Sequence, residues 1–205
     1  MSVDVEFRVL ELLCGRLCHE LISPVGAINN GVELLDDDDP EFTKEAMGLI
    51  AQSARKAGQR LQFYRFAYGT AGAGSTRIDG GELAAALLDG GKVSCAWTPE
   101  TAALAPPWQR LACNLLVLAA EALPRGGTIT VRPLGGGIEL VAEGETVMLG
   151  EELRAALNAA LPVDALSART VHAYYTARLA EHMGARLGLA LEGTARGVLT
   201  ALPVG

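Results

Sequence analysis

The chain has 205 residues, a net charge of -7 and a pI near 5.0, and half of its residues are hydrophobic. This length suits one large domain or two small ones, and the apolar content excludes a disordered chain. Because the chain is acidic and its Lys and Arg residues are scattered, we expect no nucleic-acid partner.

The first residues carry no signal for export or for a membrane. Met1 to Glu6 contain no basic segment ahead of an apolar run, and the longest apolar run, Leu111 to Ala122, is interrupted by Asn114 and Glu121. We therefore expect a cytoplasmic protein that does not bind membranes. The four cysteines, at positions 14, 18, 95 and 113, lack the spacing of a zinc site and the density of a disulfide scaffold, which favours reduced thiols.

Residues 1–70 predict an antiparallel helical hairpin. Apolar residues recur at steps of three and four from Leu10 to Leu35, which is typical of one buried stripe and predicts a first helix over residues 5–36. The acidic run Asp36–Asp39 then offers a turn and an N-cap, and Pro40 suits the first position of a second helix. A hairpin buries too little alone, so we expect a homodimer in which two hairpins form a four-helix bundle.

Residues 71–77 are predicted to be a linker, and residues 78–205 a second domain that alternates helix and strand signals. Its pattern predicts helices packed on one face of a mixed sheet, so the whole chain is α+β: a hairpin followed by an α/β two-layer sandwich. The predicted helices are 83–88, 108–123, 151–160 and 168–183, and the predicted strands are 92–97, 128–133, 138–141, 186–191 and 198–202.

His19 is the most informative residue of the hairpin. At 100° per residue it lies about 170° from the centre of the apolar stripe, so its imidazole is predicted to face water. Glu20 follows it directly, and a carboxylate that accepts one ring proton fixes the tautomer and leaves the other nitrogen nucleophilic. Pro24 is unusual inside so regular a helix, because it removes the hydrogen bond to the carbonyl of residue 20. The residues predicted within about 60° of His19 are Arg16, Ser23, Gly26 and Asn30.

These residues carry a family resemblance. The run Arg16-Leu17-Cys18-His19-Glu20-Leu21-Ile22-Ser23-Pro24 resembles the phosphohistidine motif of two-component histidine kinases. With Val25–Ile28, Asn30–Leu35 and Leu61–Arg65, it is similar more narrowly to the ChpT-type histidine phosphotransferases. The resemblance implies that the second domain is laid out like the ATP-binding lobe of those kinases.

The second domain departs from that lobe at the residues that bind nucleotide. Leu118 stands where the kinases have the asparagine that holds magnesium, and a leucine cannot ligate a hard cation. Ala142 replaces the aspartate that reads adenine, and the segment Val171–Ala173 replaces a Gly-x-Gly that approaches the phosphates. We therefore expect that this chain binds neither ATP nor a metal ion and has no autokinase activity.

The resemblance implies a phosphorelay. His19 would take phosphate from the receiver domain of a hybrid histidine kinase and pass it to the receiver domains of CtrA-like response regulators that act in the cell cycle. Magnesium would come with the receiver domain. An ATP-dependent sensor kinase and a non-catalytic scaffold that only binds receivers remain the alternatives. Three residues are predicted to support the site, and two of them, Arg16 and Ser23, are also plausible docking positions; the third is Pro24. The predicted partner-binding residues are Gly26, Asn30, Gln52, Arg55 and Lys56.

Other candidate sites have plainer explanations. Cys14 and Cys18, one turn apart, are expected to be packed rather than to bind metal, because free cysteines are usually buried. His172 and His182 are interpreted as structural or surface residues of a required helix. Gly135–Gly137 is predicted to be a turn, since no strand–loop–helix context for phosphate surrounds it.

Overall fold

Two long antiparallel helices form the N-terminal part of the protein. In the computed structural model, which describes residues 6–36, 39–69 and 79–205, α1 spans Phe7–Glu33 and α2 spans Pro40–Tyr68. A 3₁₀ turn, Leu34–Asp36, follows α1. Asp39 caps α2, since its Oδ1 accepts a hydrogen bond of 2.8 Å from the backbone N of Glu41. The predicted hairpin is confirmed, whereas the predicted linker 71–77 lies outside the described residues.

The apolar stripe of α1 is only partly covered within one chain. Leu10 and Val32 are 48% and 51% exposed, although Pro24 and Gly31 are buried. The contacts of α1 with α2 and α7 cover too little of a 27-residue helix to bury its whole apolar face. Burial of the rest of the stripe against a second hairpin stays a prediction.

The C-terminal part contains a five-stranded sheet in the order β1-β2-β3-β5-β4. The pair β1–β2 is parallel, and the other three pairs are antiparallel. Its helices are α3 (Gly80–Leu88), α4 (Pro99–Ala102), α5 (Pro106–Glu121), α6 (Glu151–Leu157) and α7 (Val171–His182), and its strands are β1 (Val93–Trp97), β2 (Gly127–Leu134), β3 (Gly137–Glu143), β4 (Ala185–Glu192) and β5 (Arg196–Pro203).

One face of the sheet forms the core. Ile129, Val131 and Leu140 point from it and are at most 1% exposed, whereas Thr128 and Arg132, which alternate with them on β2, are exposed. Helix α5 covers this face and is buried over most of its length. The α+β class and the two-layer arrangement are therefore as predicted.

Several element ends differ from the sequence prediction. Helix α6 ends at Leu157 rather than near residue 160, because Ala159 adopts a left-handed conformation with φ of 51°. Helix α7 begins at Val171 rather than at residue 168, since Ser167 and Thr170 form a hydrogen-bonded turn there. The short helix α4 was not predicted. The β2–β3 turn was predicted correctly and uses positive φ at Gly135 and Gly136.

The C-terminal end of α2 packs into the core of the sheet domain. Phe63 and Ala67 are fully buried in the same hydrophobic cluster as α5 and the strands. The carbonyl of Ala67 accepts hydrogen bonds from Arg110 Nε at 3.1 Å and from Asn114 Nδ2 at 2.9 Å. The last turn of α2 is therefore fixed against α5. No helix in the described ranges is long and apolar enough to cross a membrane.

Candidate functional site

His19 lies on the open face of α1. Its side chain is exposed, and it forms no hydrogen bond or ion pair with any residue in the described ranges. Cys18, Ile22 and Ser23 beside it are exposed as well. The helical periodicity therefore predicted the direction of the imidazole correctly, and another protein can reach the ring from this side.

Pro24 changes the hydrogen bonding of α1 at the turn that carries His19. A proline has no N–H, so Pro24 cannot donate to the carbonyl of Glu20 four residues earlier. Arg60, on the facing helix α2, supplies the missing donor: its Nη1 lies 2.7 Å from the backbone oxygen of Glu20. The carbonyl that the proline leaves free is thereby bonded across the hairpin.

The carboxylate of Glu20 binds the same arginine. Arg60 Nη1 also donates to Glu20 Oε2 at 2.8 Å, and the two side chains are 34% and 30% exposed. No hydrogen bond joins Glu20 to His19 within the described part of the chain, so the predicted role of Glu20 as acceptor from the ring stays a prediction.

Burial, with the charge of Glu20, raises the pKa of Tyr64 to about 12, so this nearby phenol stays protonated at neutral pH.

Arg16 faces the C-terminal domain rather than the solvent around His19. Its side chain is 10% exposed, and Nη2 forms an ion pair with Glu121 at the end of α5. Nη1 donates to the backbone oxygen of Ala168 at 3.4 Å. The predicted part of Arg16 in supporting the site and in docking stays a prediction. The helical wheel placed its Cα correctly near His19, but a partner 105 residues away in the sequence determines where its guanidinium lies.

The other predicted docking residues lie at similar levels along the two helices of the hairpin. Glu20 lies opposite Arg60, and Gly31 packs against Ala46 and Ile50, so residues 52–56 lie near the level of residues 24–28. Gly26 is half-buried, with open space where a Cβ would stand. Their role in binding a partner stays a prediction. The exposed members of the set are Ser23, Asn30, Gln52, Arg55 and Lys56.

A groove separates α2 from the loop that leads into β1. It has a volume of about 360 Å³ and is lined by Lys56, Gln59 and Arg60 on one side and by residues 86–93 on the other. Three cationic side chains therefore line the groove, since Lys92 belongs to the loop. Arg60, which pairs with Glu20, is one of the residues that line the groove.

A buried hydrogen-bond network joins α2 to α7. The carbonyl of Asn114 lies 3.0 Å from His172 Nε2, so that nitrogen carries the ring proton. His172 Nδ1 then accepts from the hydroxyl of Tyr68 at 2.9 Å. Burial, together with the charge of Arg16, lowers the pKa of His172 to about 3, although the bond to Asn114 opposes this shift. His172 is structural, which is one of the two roles expected for it.

The positions that bind nucleotide in the kinases are packed here. Leu118 is 2% exposed, and Val171, His172 and Ala173 are at most 1% exposed. Ala142 lines an apolar cavity of about 10 Å³, which is about the space of one water molecule. An adenine ring does not fit a cavity of that size.

The structure shows no group of three or more potential metal ligands among the residues it describes. Cys14 and Cys18 are both exposed, so the expectation that they are packed is wrong for the single chain. Both lie beside the stripe that α2 leaves uncovered. Cys113 is buried, and burial raises the pKa of the Cys95 thiol to about 11.

Sequence reasoning missed Arg60, Glu121 and Tyr68. For Arg60 a signal existed, because Pro24 requires a substitute donor for the carbonyl of Glu20, and the antiparallel pairing of the hairpin brings residue 60 opposite residue 20. No comparable signal identified Glu121 or Tyr68. Their partners lie in another domain, so local periodicity contains no information about them.

Comparisons with known proteins agree over nearly the whole chain. Residues 80–195 match the family model described as histidine phosphotransferase C-terminal domain. The protein phosphotransferase ChpT of Brucella abortus (strain 2308) is 35% identical over 199 residues, which cover 92% of this chain and 94% of that protein. The 1.7 Å structure of a bacterial phosphotransferase is 31% identical, covers 98% of both chains and superposes with a TM-score of 0.80.

Proposed function

The chain belongs to the histidine phosphotransferase family, and we propose that it relays phosphate between receiver domains through His19. In this proposal His19 accepts phosphate from the receiver aspartate of a hybrid histidine kinase and donates it to the receiver aspartate of CtrA-like response regulators. The observation that carries the proposal is the exposed imidazole of His19, next to a carboxylate that Arg60 holds in place.

The chemistry is a nucleophilic displacement at phosphorus. A neutral ring nitrogen attacks in line, the N–P bond forms, the P–O bond to the aspartate breaks, and the aspartate leaves as a carboxylate. The reverse step charges the second receiver. Glu20 orients the ring by accepting the proton of the other nitrogen. The magnesium ion of the receiver domain neutralises charge on the transferring group, so this chain needs no metal of its own.

We propose further that the chain has no autokinase activity. Packed side chains at Leu118, Ala142 and Val171–Ala173 support this, because nucleotide binding requires a magnesium ligand, an adenine acceptor and open backbone amides at those positions. Titration calorimetry with ATP and magnesium is expected to give no binding. Micromolar affinity would contradict this part of the proposal and favour the sensor-kinase alternative.

A homodimer is the proposed state in solution. Nine of the twelve large apolar side chains that are exposed among the described residues lie on the hairpin. Two hairpins that pair as a four-helix bundle would cover such a surface, because each supplies two amphipathic helices. The nine residues are Phe7, Leu10, Ile22, Val25, Val32, Leu34, Phe42, Met47 and Leu61.

The direct test is transfer of label from a receiver domain that carries ³²P on its aspartate. Wild-type protein should acquire acid-labile label, and His19→Ala should acquire none. His182→Ala is the matched control, because His182 is also exposed but lies in the last turn of α7. Equal labelling of wild type and His19→Ala would refute the proposal. A scaffold that only binds receivers would acquire no label in any form.

A further inference from the structure

Arg60 is fixed at the site more firmly than an ordinary surface arginine. A single nitrogen, Nη1, donates to the backbone oxygen of Glu20 at 2.7 Å and to its carboxylate at 2.8 Å. The first acceptor belongs to the helix backbone and does not rotate. The guanidinium therefore has a fixed position relative to α1, and it transmits that position to the carboxylate.

The sequence of α1 creates this anchor. Because Pro24 lacks an N–H, the carbonyl of Glu20 has no donor four residues later and is open to one from another helix. In a regular helix that carbonyl already accepts one bond, and an arginine at residue 60 would have to share it. A half-exposed ion pair with the carboxylate alone would let the Glu20 side chain change rotamer freely. Pro24 and Arg60 together convert it into a two-point contact.

The bond uses only one oxygen of the Glu20 carboxylate. Oε2 accepts from Arg60, whereas Oε1 forms no hydrogen bond with any residue that the structure describes. A carboxylate has lone pairs on both oxygens, so Oε1 remains available to a second donor. His19 is the neighbouring residue and its exposed ring makes no competing contact.

We propose that Arg60 is a positioning residue for phosphotransfer, which holds Glu20 by Oε2 and leaves Oε1 to accept the ring proton of His19. The inference rests on the proposed function of His19. Arg60 itself touches neither the phosphate nor the reacting nitrogen. Its effect therefore passes through Glu20, and it should alter the rate of the chemical step rather than the affinity for the receiver domain.

The test measures single-turnover transfer from a ³²P-labelled receiver domain at increasing receiver concentration. Arg60→Met keeps the aliphatic stem but removes the donor of both hydrogen bonds, and it should lower the maximal rate about tenfold without changing the half-saturating concentration. Arg60→Lys should recover most of the rate, since one ammonium group can donate to both acceptors. Arg65→Met is the matched control, because Arg65 is exposed on the same helix and does not contact Glu20.

A second arm tests whether Arg60 acts through Glu20. In a Glu20→Ala background, Arg60→Met should cause little further loss, because the acceptor that it positions is absent. Additive losses would overturn the inference, and so would a wild-type maximal rate in Arg60→Met. A change confined to the half-saturating concentration would also overturn it, since Arg60 would then contact the receiver directly.

The failure of this inference is distinguishable from failure of the proposed function. If wild-type protein acquires label on His19 and Arg60→Met transfers equally fast, only the role of Arg60 is refuted. If wild-type protein acquires no label, the phosphotransfer role of His19 is refuted and the inference fails with it. Thermal unfolding of each variant confirms that a lost rate does not reflect a lost fold.

Discussion

Acidification should destabilise this protein through His172, which belongs to the buried hydrogen-bond network that joins α2 to α7. In the folded state the ring is fully buried and neutral, and its pKa is lowered to about 3 from the ordinary value of 6.5. At pH values between about 3 and 6.5, His172 binds a proton in the unfolded chain but not in the folded chain. The free energy of unfolding therefore falls as the pH falls below 6.5, and above 6.5 this contribution is fully present.

The size of this fall in the free energy of unfolding follows from the pH range over which only the unfolded chain is protonated at His172. Each pH unit corresponds to about 1.4 kcal/mol for one group, so acidification from about pH 6.5 to about pH 4.5 removes on the order of 2 kcal/mol through His172 alone. A domain of ordinary stability has about 5–15 kcal/mol in total. The loss is therefore large enough to measure.

Urea unfolding across this pH range, at one protein concentration, tests the effect. His172→Gln removes the titrating group but keeps an amide that can donate to the carbonyl of Asn114. Its curve of stability against pH should be flatter than that of wild type by up to about 1.4 kcal/mol per unit. His182→Gln is the control, because His182 is exposed, and its curve should run parallel to wild type.

The acidic residues are common to all three proteins, so their contribution to the pH dependence cancels in the comparison. Parallel curves for wild type and His172→Gln would refute the argument. They would mean that the imidazole is protonated inside the fold, and then Nδ1 could no longer accept from the hydroxyl of Tyr68.

Three further predictions concern the stability of the fold, measured by urea unfolding. Asp79 Oδ1 accepts from the backbone N of Gly81 at 2.8 Å and of Glu82 at 3.3 Å, so Asp79→Ala should lower the free energy of unfolding by about 1 kcal/mol, whereas Asp79→Asn keeps the cap. Gly127 has φ of 152°, and a Cβ there would lie 2.2 Å from the backbone oxygen of Glu143. Gly127→Ala should therefore cost more than about 2 kcal/mol, while Gly48→Ala, in open space within α2, should add about 0.5–1 kcal/mol. Unchanged midpoints for Asp79→Ala or Gly127→Ala would contradict these assignments.

The sequence by itself determined the hairpin, the α+β class and the exposed direction of His19. These depend on local rules: helical periodicity, the Asp39 cap with Pro40, and the period-two pattern of the strands. Periodicity located the apolar stripe of α1 but did not specify what covers each part of it, and a single chain leaves Leu10 and Val32 half-exposed.

Only the tertiary structure decided which groups surround the site. Arg60 reaches Glu20 across 40 residues, Arg16 reaches Glu121 across 105, and Tyr68 reaches His172 across 104. Such contacts depend on how α2 enters the core of the sheet domain, which no local pattern specifies. The neutral state of His172 depends on them too, because burial and the charge of Arg16, which is remote only in the sequence, lower its pKa. Pro24 is the exception: its missing N–H already required a donor from elsewhere, and the fold supplied Arg60.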